Sequence, residues 1–341
     1  MKLYIFGAGA SFASQKEMVG LKPPLVNDLF NQEYGRYAQD IGISTDELIV
    51  AKKEFINHGG SLERWLTDKW NNIENLKQET SKDAERVEFA KFTFYVWHLL
   101  KEVSKQFTPQ NLYIDFLLKL RKKDLDFGFI NFNYDTLLDR AYQKVFGAIL
   151  SGGLNAYVKC KYIKPHGSVN WFIKPRPNDV SIPINDHRSD FKTRLNGAIS
   201  EMFKPQPISI DRMVVENPQV GYIHDWNYLQ NEKFNYKFFY PLVLLPLSSK
   251  LYQHFDGFYE KVLLEGNNLV RQADEIFLIG YRGEDDAIKE MLSSAKEGTI
   301  LNVVSRSDSA NKIMESVCGW CPQLDRGKVH EKGFLEFIEN Y

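Results

Sequence analysis

The sequence predicts an α/β fold in which a doubly wound parallel sheet carries a large helical insertion after its first strand. Three observations lead there. Residues 3–6 are a short run of strand formers that stops at Gly7-Ala8-Gly9-Ala10-Ser11, as a buried parallel strand does on entering a tight turn and a helix. From residue 127 onward, strand and helix patterns alternate, which is how a parallel sheet covered by helices reads. Between the two lie more than a hundred residues of helical character, where a simple βαβ unit needs only ~30. The arrangement is Rossmann-like.

The elements follow in order. Pro24 stands near a helix start at Leu25-Val26-Asn27-Asp28. Ser61 opens a helix over 61–76 as its cap, and Arg64 stands where a full capping box would need Glu or Gln. From 83 to 107, apolar residues at 89, 92, 96, 99, 100, 103 and 107 step by three and four, predicting one long amphipathic helix. Phe94, Tyr95 and Trp97 lie outside that stripe. They predict a subunit contact, the alternative being an inner helix buried on all sides. Residues 112–120 continue the helical pattern. A strand over 127–132 ends in polar residues, a helix follows over 136–146, and 157–163 reads as a strand. Further strands are expected over 240–247, 275–279 and 300–304, with helices over 252–272 and 285–296. Residues 1–34, 123–172 and 236–341 thus form the sheet core, 35–122 the insertion, and 173–235 an irregular subdomain rich in Pro, Asn and Asp.

Composition narrows the function. The 341 residues are 43% apolar and 26% charged, enough for a packed core. Lys plus Arg is 43 and Asp plus Glu is 44, a net charge of −1 that argues against direct nucleic-acid binding or adhesion to anionic membrane. The longest apolar run, 238–247, is ten residues with two prolines, and a bilayer span needs ~20. Three cysteines (Cys160, Cys318, Cys321) cannot build a disulfide framework. The apolar stretch before Gly7 is shorter than the ~7–15 residues of a signal-peptide core. A cytoplasmic protein is expected.

In open parallel sheets, ligands sit beyond the carboxyl ends of the strands, so the polar residues there are the candidates. Gly7, Ala8, Gly9 and Ser11 form a turn whose glycines let backbone approach a diphosphate, with a helix N-terminus behind them. Phe12 stands where the dehydrogenase fingerprint wants a third glycine, and no acidic residue ends a second strand ~20 residues on. A plain glycine turn is the competing reading. Asn133 and Asp135 alternate with Phe132 and Tyr134 at the end of a strand, so the polar pair shares one side. For Asp135, capping of the next helix competes with ligand contact. His166, in Lys164-Pro165-His166-Gly167-Ser168, stands at another strand end and has a side chain suited to proton transfer near neutral pH. Asn133 and His166 are expected at exposed strand ends, where substitution costs little stability.

The order of these clusters resembles the sirtuin-like superfamily of NAD-consuming enzymes, whose motifs are a Gly-Ala-Gly-x-Ser cofactor loop, a Gln-Asn-Ile-Asp motif and a His-Gly motif. Ile279-Gly280-Tyr281-Arg282 falls where that family has a Gly-Thr-Ser segment near the adenosine, and Leu301-Asn302-Val303-Val304-Ser305 matches its late strand. The resemblance implies NAD as substrate, with Gly7, Ala8, Gly9 and Ser11 on the diphosphate. It implies Asp135 on the carboxamide or the Asn133 loop, Gly280, Tyr281 and Ser305 toward the adenosine, and Asn133 and His166 as catalytic residues. Three departures stand out. The paired Cys-x-x-Cys zinc module of sirtuin deacylases is missing, Cys318-Gly319-Trp320-Cys321 being too few thiolates for a tetrahedral site, so no metal is expected. The Pro-Asp-Phe-Arg loop is replaced by Gly20-Leu21-Lys22-Pro23-Pro24, and Phe132 replaces the family glutamine.

What remains resembles the bacterial NAD hydrolases of antiphage defence. That resemblance implies cleavage of the nicotinamide–ribose bond to nicotinamide and ADP-ribose, a homo-oligomer, and a partner such as a HerA-type motor ATPase. A non-catalytic NAD or ADP-ribose sensor and a protein deacylase are the alternatives carried forward. A dehydrogenase is disfavoured by Phe12 and the missing acid.

Overall fold

The computed structural model describes residues 1–15, 21–123, 125–173, 213–215, 217–218, 240–245, 258–282, 285–306 and 309–341. Its strands are β1 (Lys2–Phe6), β2 (Phe127–Asn131), β3 (Tyr162–Ile163), β4 (Gly167–Ile173), β5 (Met213–Val215), β6 (Tyr240–Val243), β7 (Glu275–Ile279), β8 (Thr299–Val304) and β9 (Leu324–His330). Leu3, Tyr4, Ile5 and Phe6 are all fully buried, so β1 has no polar face to show water and must lie inside a sheet covered on both sides. It pairs in parallel with β2 on one edge and β7 on the other. The whole sheet runs β3-β2-β1-β7-β8-β9, and every pairing in it is parallel. The chain therefore starts in the middle, steps outward through β2 and β3, then returns beside β1 and steps outward the other way. That is the doubly wound α/β order, and it opens a crevice at the carboxyl ends of β1 and β7, where the winding reverses.

Twelve helices accompany the described strands: α1 (Ala8–Ser14), α2 (Gly35–Asp40), α3 (Thr45–Asn57), α4 (Leu62–Glu74), α5 (Glu79–Lys105), α6 (Leu112–Lys122), α7 (Leu137–Phe146), α8 (Leu154–Lys159), α9 (Phe258–Gln272), α10 (Asp286–Leu292), α11 (Ser309–Trp320) and α12 (Gly333–Asn340). Aromatic residues cover one face of the sheet: Phe116 of α6 meets Tyr4 edge-on at 5.0 Å, and Phe337 of α12 meets Phe277 at 5.6 Å. On the other face Leu269 of α9 comes so close to Gly128 that a Cβ there would lie 3.3 Å from it.

The segment after Pro24 forms a 3-10 turn over Val26–Phe30 instead of an α-helix. Ser61 caps α4 by accepting from the Arg64 amide, without a full capping box. Residues 157–163 are not one strand. Gly153 ends the preceding loop, Leu154 and Tyr157 bury one face of α8 at a spacing of three, and only Tyr162 and Ile163 pair with β2. The strand expected over 240–247 is limited to Tyr240–Val243 and joins a second, antiparallel sheet of order β5-β4-β6. That sheet begins at Gly167, immediately after His166, and Leu244 prolongs the contact by donating its N–H to the His166 carbonyl at 2.8 Å.

The long helix α5 resolves the choice left open by its pattern. Phe94, Tyr95 and Trp97 are 0–1% exposed, so they are core and not a subunit contact. Trp97 donates its Nε1–H to the Val169 carbonyl of β4 at 3.0 Å, and Tyr95 bonds the Leu29 carbonyl. The periodicity misled because α5 packs against β4 and β6 as well as against its helical neighbours, and a helix enclosed in this way needs apolar residues outside a single stripe. Trp97→Ala should therefore cost about 3–5 kcal/mol of stability in urea unfolding. A loss below about 1 kcal/mol would mean that this face is open.

Candidate active site

The glycine turn is shaped by its neighbour. Gly7 donates its N–H to the Ile279 carbonyl at 3.0 Å and Gly9 to the Gly280 carbonyl at 2.9 Å, fastening the ends of β1 and β7 together. Gly280 has φ +60°, and a Cβ on it would lie 2.2 Å from the Ala10 nitrogen. One on Gly7 would lie 2.4 Å from the Tyr281 ring. These glycines are required by the approach of two loops. Tyr281 then stacks on Phe132 at the end of β2, with centroids 4.7 Å apart at 19°.

Asn133 ties β2 to that turn. Its Nδ2 donates to the Gly7 carbonyl and to Ser11 Oγ, both at 2.9 Å, while its own amide is held by Asn131 Oδ1 at 3.1 Å. Ser11 Oγ also lies 3.0 Å from the Tyr113 hydroxyl. Asn133 and His166 are 6% and 5% exposed, so the expectation of exposed strand ends fails. Gly7 and Ser11 enclose the Asn133 amide, and Phe132 and Tyr134 pack on the His166 ring. Asp135, just before the Thr136 N-cap position, accepts from the Leu137 amide that opens α7 at 3.1 Å. Burial raises its carboxyl above the ordinary range, against the pull of Lys164, the Leu137 amide and Ser11.

Sequence reasoning missed the polar network beneath. Lys164 is fully buried, and its Nζ donates to Asp139 Oδ2 at 3.0 Å, the Asp135 carbonyl at 2.7 Å and Ser168 Oγ at 2.7 Å. Asp139, equally buried, accepts from the Tyr157 and Tyr162 hydroxyls at 2.7 and 3.0 Å. All three ammonium hydrogens and both carboxylate oxygens are used. The available signal was a lone charge, Asp139, among Leu137, Leu138, Ala141 and Tyr142 on the apolar face of a helix.

His166 stacks on Tyr134 at 5.9 Å and meets Phe132 edge-on at 5.0 Å. Its Nε2 lies 3.0 Å from Asp285 Oδ2, although the carboxylate sits off the ideal N–H direction. Asp285, also missed, caps α10 by accepting from the Ala287 amide at 2.8 Å. Burial alone would raise its carboxyl. The adjacent His166 imidazole and the amides of Ala287 and Ile288 bring it below the ordinary range. Glu63, from the first turn of α4, joins the same field. Burial first, then the charges of Asp285 and Asp286, push its carboxyl up to about 7, against the opposing pull of Lys289 and His166.

Gly7, Gly9, Ser11, Asn133, Gly280 and Tyr281 are thus brought together, with Ala8 in the turn between the glycines and Asp135 and His166 beside them. Ser305 stands at the edge of this cluster, next to Val304, whose carbonyl accepts from the Gly280 amide at 2.9 Å. It stands past β8 and bonds Ser309 Oγ at 2.9 Å and the His330 carbonyl at 3.1 Å. A cavity of about 600 Å³ lined by Gly152, Leu154, Lys159, Cys160 and Lys261 holds none of the candidate residues. Cys318 and Cys321 lie at the end of α11, and Cys321 donates to the Leu292 carbonyl at 3.3 Å. Among the described residues no group of three or more His, Cys, Asp or Glu could hold a metal ion, and no helix is long and apolar enough to cross a membrane.

Two predictions follow from the electrostatics. Lys164→Met should cost about 3–5 kcal/mol in urea unfolding by leaving Asp139 buried without its cation, and adding Asp139→Asn should recover part of the loss. A carboxyl raised in the fold favours the native state below its ordinary range, and that support is lost as pH rises toward 7. Glu63→Gln should therefore raise Tm at pH 8 and gain little or nothing at pH 5. An equal change at both values would remove Glu63 from this acidic cluster.

No family model matches the sequence, and no curated protein matches it. Among solved structures, one described as a Sir2 mutant with a p53 peptide and NAD aligns over 100% of this chain and 91% of that chain, at 14% identity and a TM-score of 0.38. That superposition is too loose to define the fold, which stands on the strand order and on the residues at the strand ends.

Proposed function

We propose that the protein is an NAD hydrolase that cleaves the nicotinamide–ribose bond. One observation carries the reading: the Gly7-Ala8-Gly9-Ala10-Ser11 turn, Asn133 and the His166 loop converge at the point where the sheet reverses its winding, the place where such sheets bind nucleotides. Their order along the chain is that of the sirtuin-like motifs.

In this mechanism the C1–N bond of the ribose breaks and its electron pair leaves with nicotinamide, neutralising the pyridinium ring. Water bonds C1 and yields its proton to His166, which serves as general base. Asn133 orients the water or the carboxamide, the glycine turn and Ser11 hold the diphosphate, and Asp135 acts by fixing the Asn133 loop. Gly280 and Tyr281 border the nucleotide, and Ser305 contributes at the adenosine side. A role in antiphage defence through NAD depletion, a homo-oligomer and a motor ATPase partner of the HerA type belong to the same proposal. The burial of Phe94, Tyr95 and Trp97 withdraws α5 as the oligomer surface.

A second reading, a non-catalytic NAD or ADP-ribose sensor, is favoured by one feature. Asn133 spends both amide hydrogens on Gly7 and Ser11, as a purely structural asparagine would. Chromatography of the purified protein incubated with NAD separates the two. A hydrolase releases nicotinamide and ADP-ribose in equal amounts, and a sensor binds without releasing either. His166→Ala and Asn133→Ala should abolish release, while Ser11→Ala should act mainly on NAD affinity. Asn133→Ala should also lower stability by about 1–3 kcal/mol, because it strips buried groups of their partner. Full activity in either of the first two variants would remove that residue from catalysis.

A further inference from the structure

His166 has two ring nitrogens, and the structure treats them differently. Nε2 is buried and lies 3.0 Å from Asp285 Oδ2 without an aligned hydrogen bond, whereas no carboxylate stands against Nδ1 among the described ion pairs. The ring stacks on Tyr134 and meets Phe132 edge-on, and its backbone carbonyl is tied by Leu244, which restricts its freedom to turn. Asp285 is equally constrained. Its Oδ1 is committed to the Ala287 amide at the start of α10, which leaves Oδ2 for the imidazole. Both side chains are nearly buried, at 7% and 14% exposure, so the contact is little diluted by water. A carboxylate facing one imidazole nitrogen selects the tautomer with hydrogen on that nitrogen and leaves the other bare.

We propose that Asp285 is a positioning residue for His166, holding the proton on Nε2 so that Nδ1 is the nitrogen that accepts a proton from the attacking water. The inference rests on the reading of His166 as general base given above. An off-axis contact in the unliganded protein accords with it, since such pairs often tighten only around substrate.

Asp285→Asn and Asp285→Ala separate this role from a structural one. In Asp285→Asn, the amide oxygen keeps the cap on Ala287 and the amide nitrogen faces Nε2. It then donates to Nε2 and forces the proton to Nδ1, which disables the base. In Asp285→Ala, the cap is lost, but the ring is free to take either tautomer. Positioning predicts that Asp285→Asn is the worse enzyme, with kcat down by about 100-fold or more, ADP-ribose affinity within about twofold of wild type, and Tm nearly unchanged. A purely structural Asp285 predicts the reverse order, with Asp285→Ala losing more Tm and more activity.

Nitrogen-15 NMR of histidine-labelled protein, with His166→Gln for assignment, reads the tautomer without any turnover. Wild type should carry the proton on Nε2 and Asp285→Asn on Nδ1, and the same tautomer in both would overturn the proposal. If wild type releases no nicotinamide, the hydrolase reading falls, and the tautomer measurement still decides whether Asp285 sets the ring.

Discussion

One buried ammonium group organises the site. Lys164 reaches the Asp135 carbonyl, the Asp139 carboxylate and Ser168 at once, so the end of β2, the first turn of α7 and the start of β4 are fixed by a single nitrogen. A charge in a fully buried position is tolerated only with every hydrogen used and a counter-charge present, and here both conditions are met. Because Asn133 and His166 stand on the two segments that Lys164 joins, their separation is set below the site and not within it. The tyrosines that complete Asp139 come from α8 and β3, which draws the short third strand into the same constraint.

A second constraint acts from the other side of the crevice. The close contact of Gly9 and Ala10 with Gly280 brings the β7 loop over the glycine turn, and that loop delivers Tyr281 to Phe132 and Asp285 to His166. The candidate residues are thus held between a charged network beneath and a loop above. Glu63 adds a contribution from the insertion, so α4 shares the electrostatic field of the site although it stands far from it in sequence.

The parts legible in the sequence were those with local signals. The apolar run at β1, the glycines after it, the cap at Ser61 and the polar strand ends at Asn133 and His166 could all be read from neighbouring residues. Less legible were features created by distant contacts. The short β3 was masked by Tyr157 and Val158, which have strand propensity but sit in a helix because Leu154 and Tyr157 bury a common face. Lys164 was only a neighbour of the histidine motif in the sequence, and nothing local announced Asp139 as its partner. Asp285 fell at the first position of the helix expected over 285–296, and its ion pair with His166 spans more than a hundred residues. The encirclement of α5 is of the same kind, since a pattern of threes and fours reports one packing face and stays silent about a second.

The position of β1 in the middle of the sheet has a consequence for how the chain reaches this state. Lys2 to Phe6 pair with a strand beginning at Phe127 and another beginning at Glu275, so the central strand finds its second neighbour only after most of the chain is available. Closing loops of that length is entropically costly and slow compared with local helix formation. During synthesis the helices of the insertion can form from their own residues, while β1, apolar from Leu3 to Phe6, keeps one edge open after β2 is made. Such a strand is a sticky edge until β7 arrives. If local helices form first and the middle of the sheet last, the crevice between β1 and β7 is among the final parts of the molecule to exist.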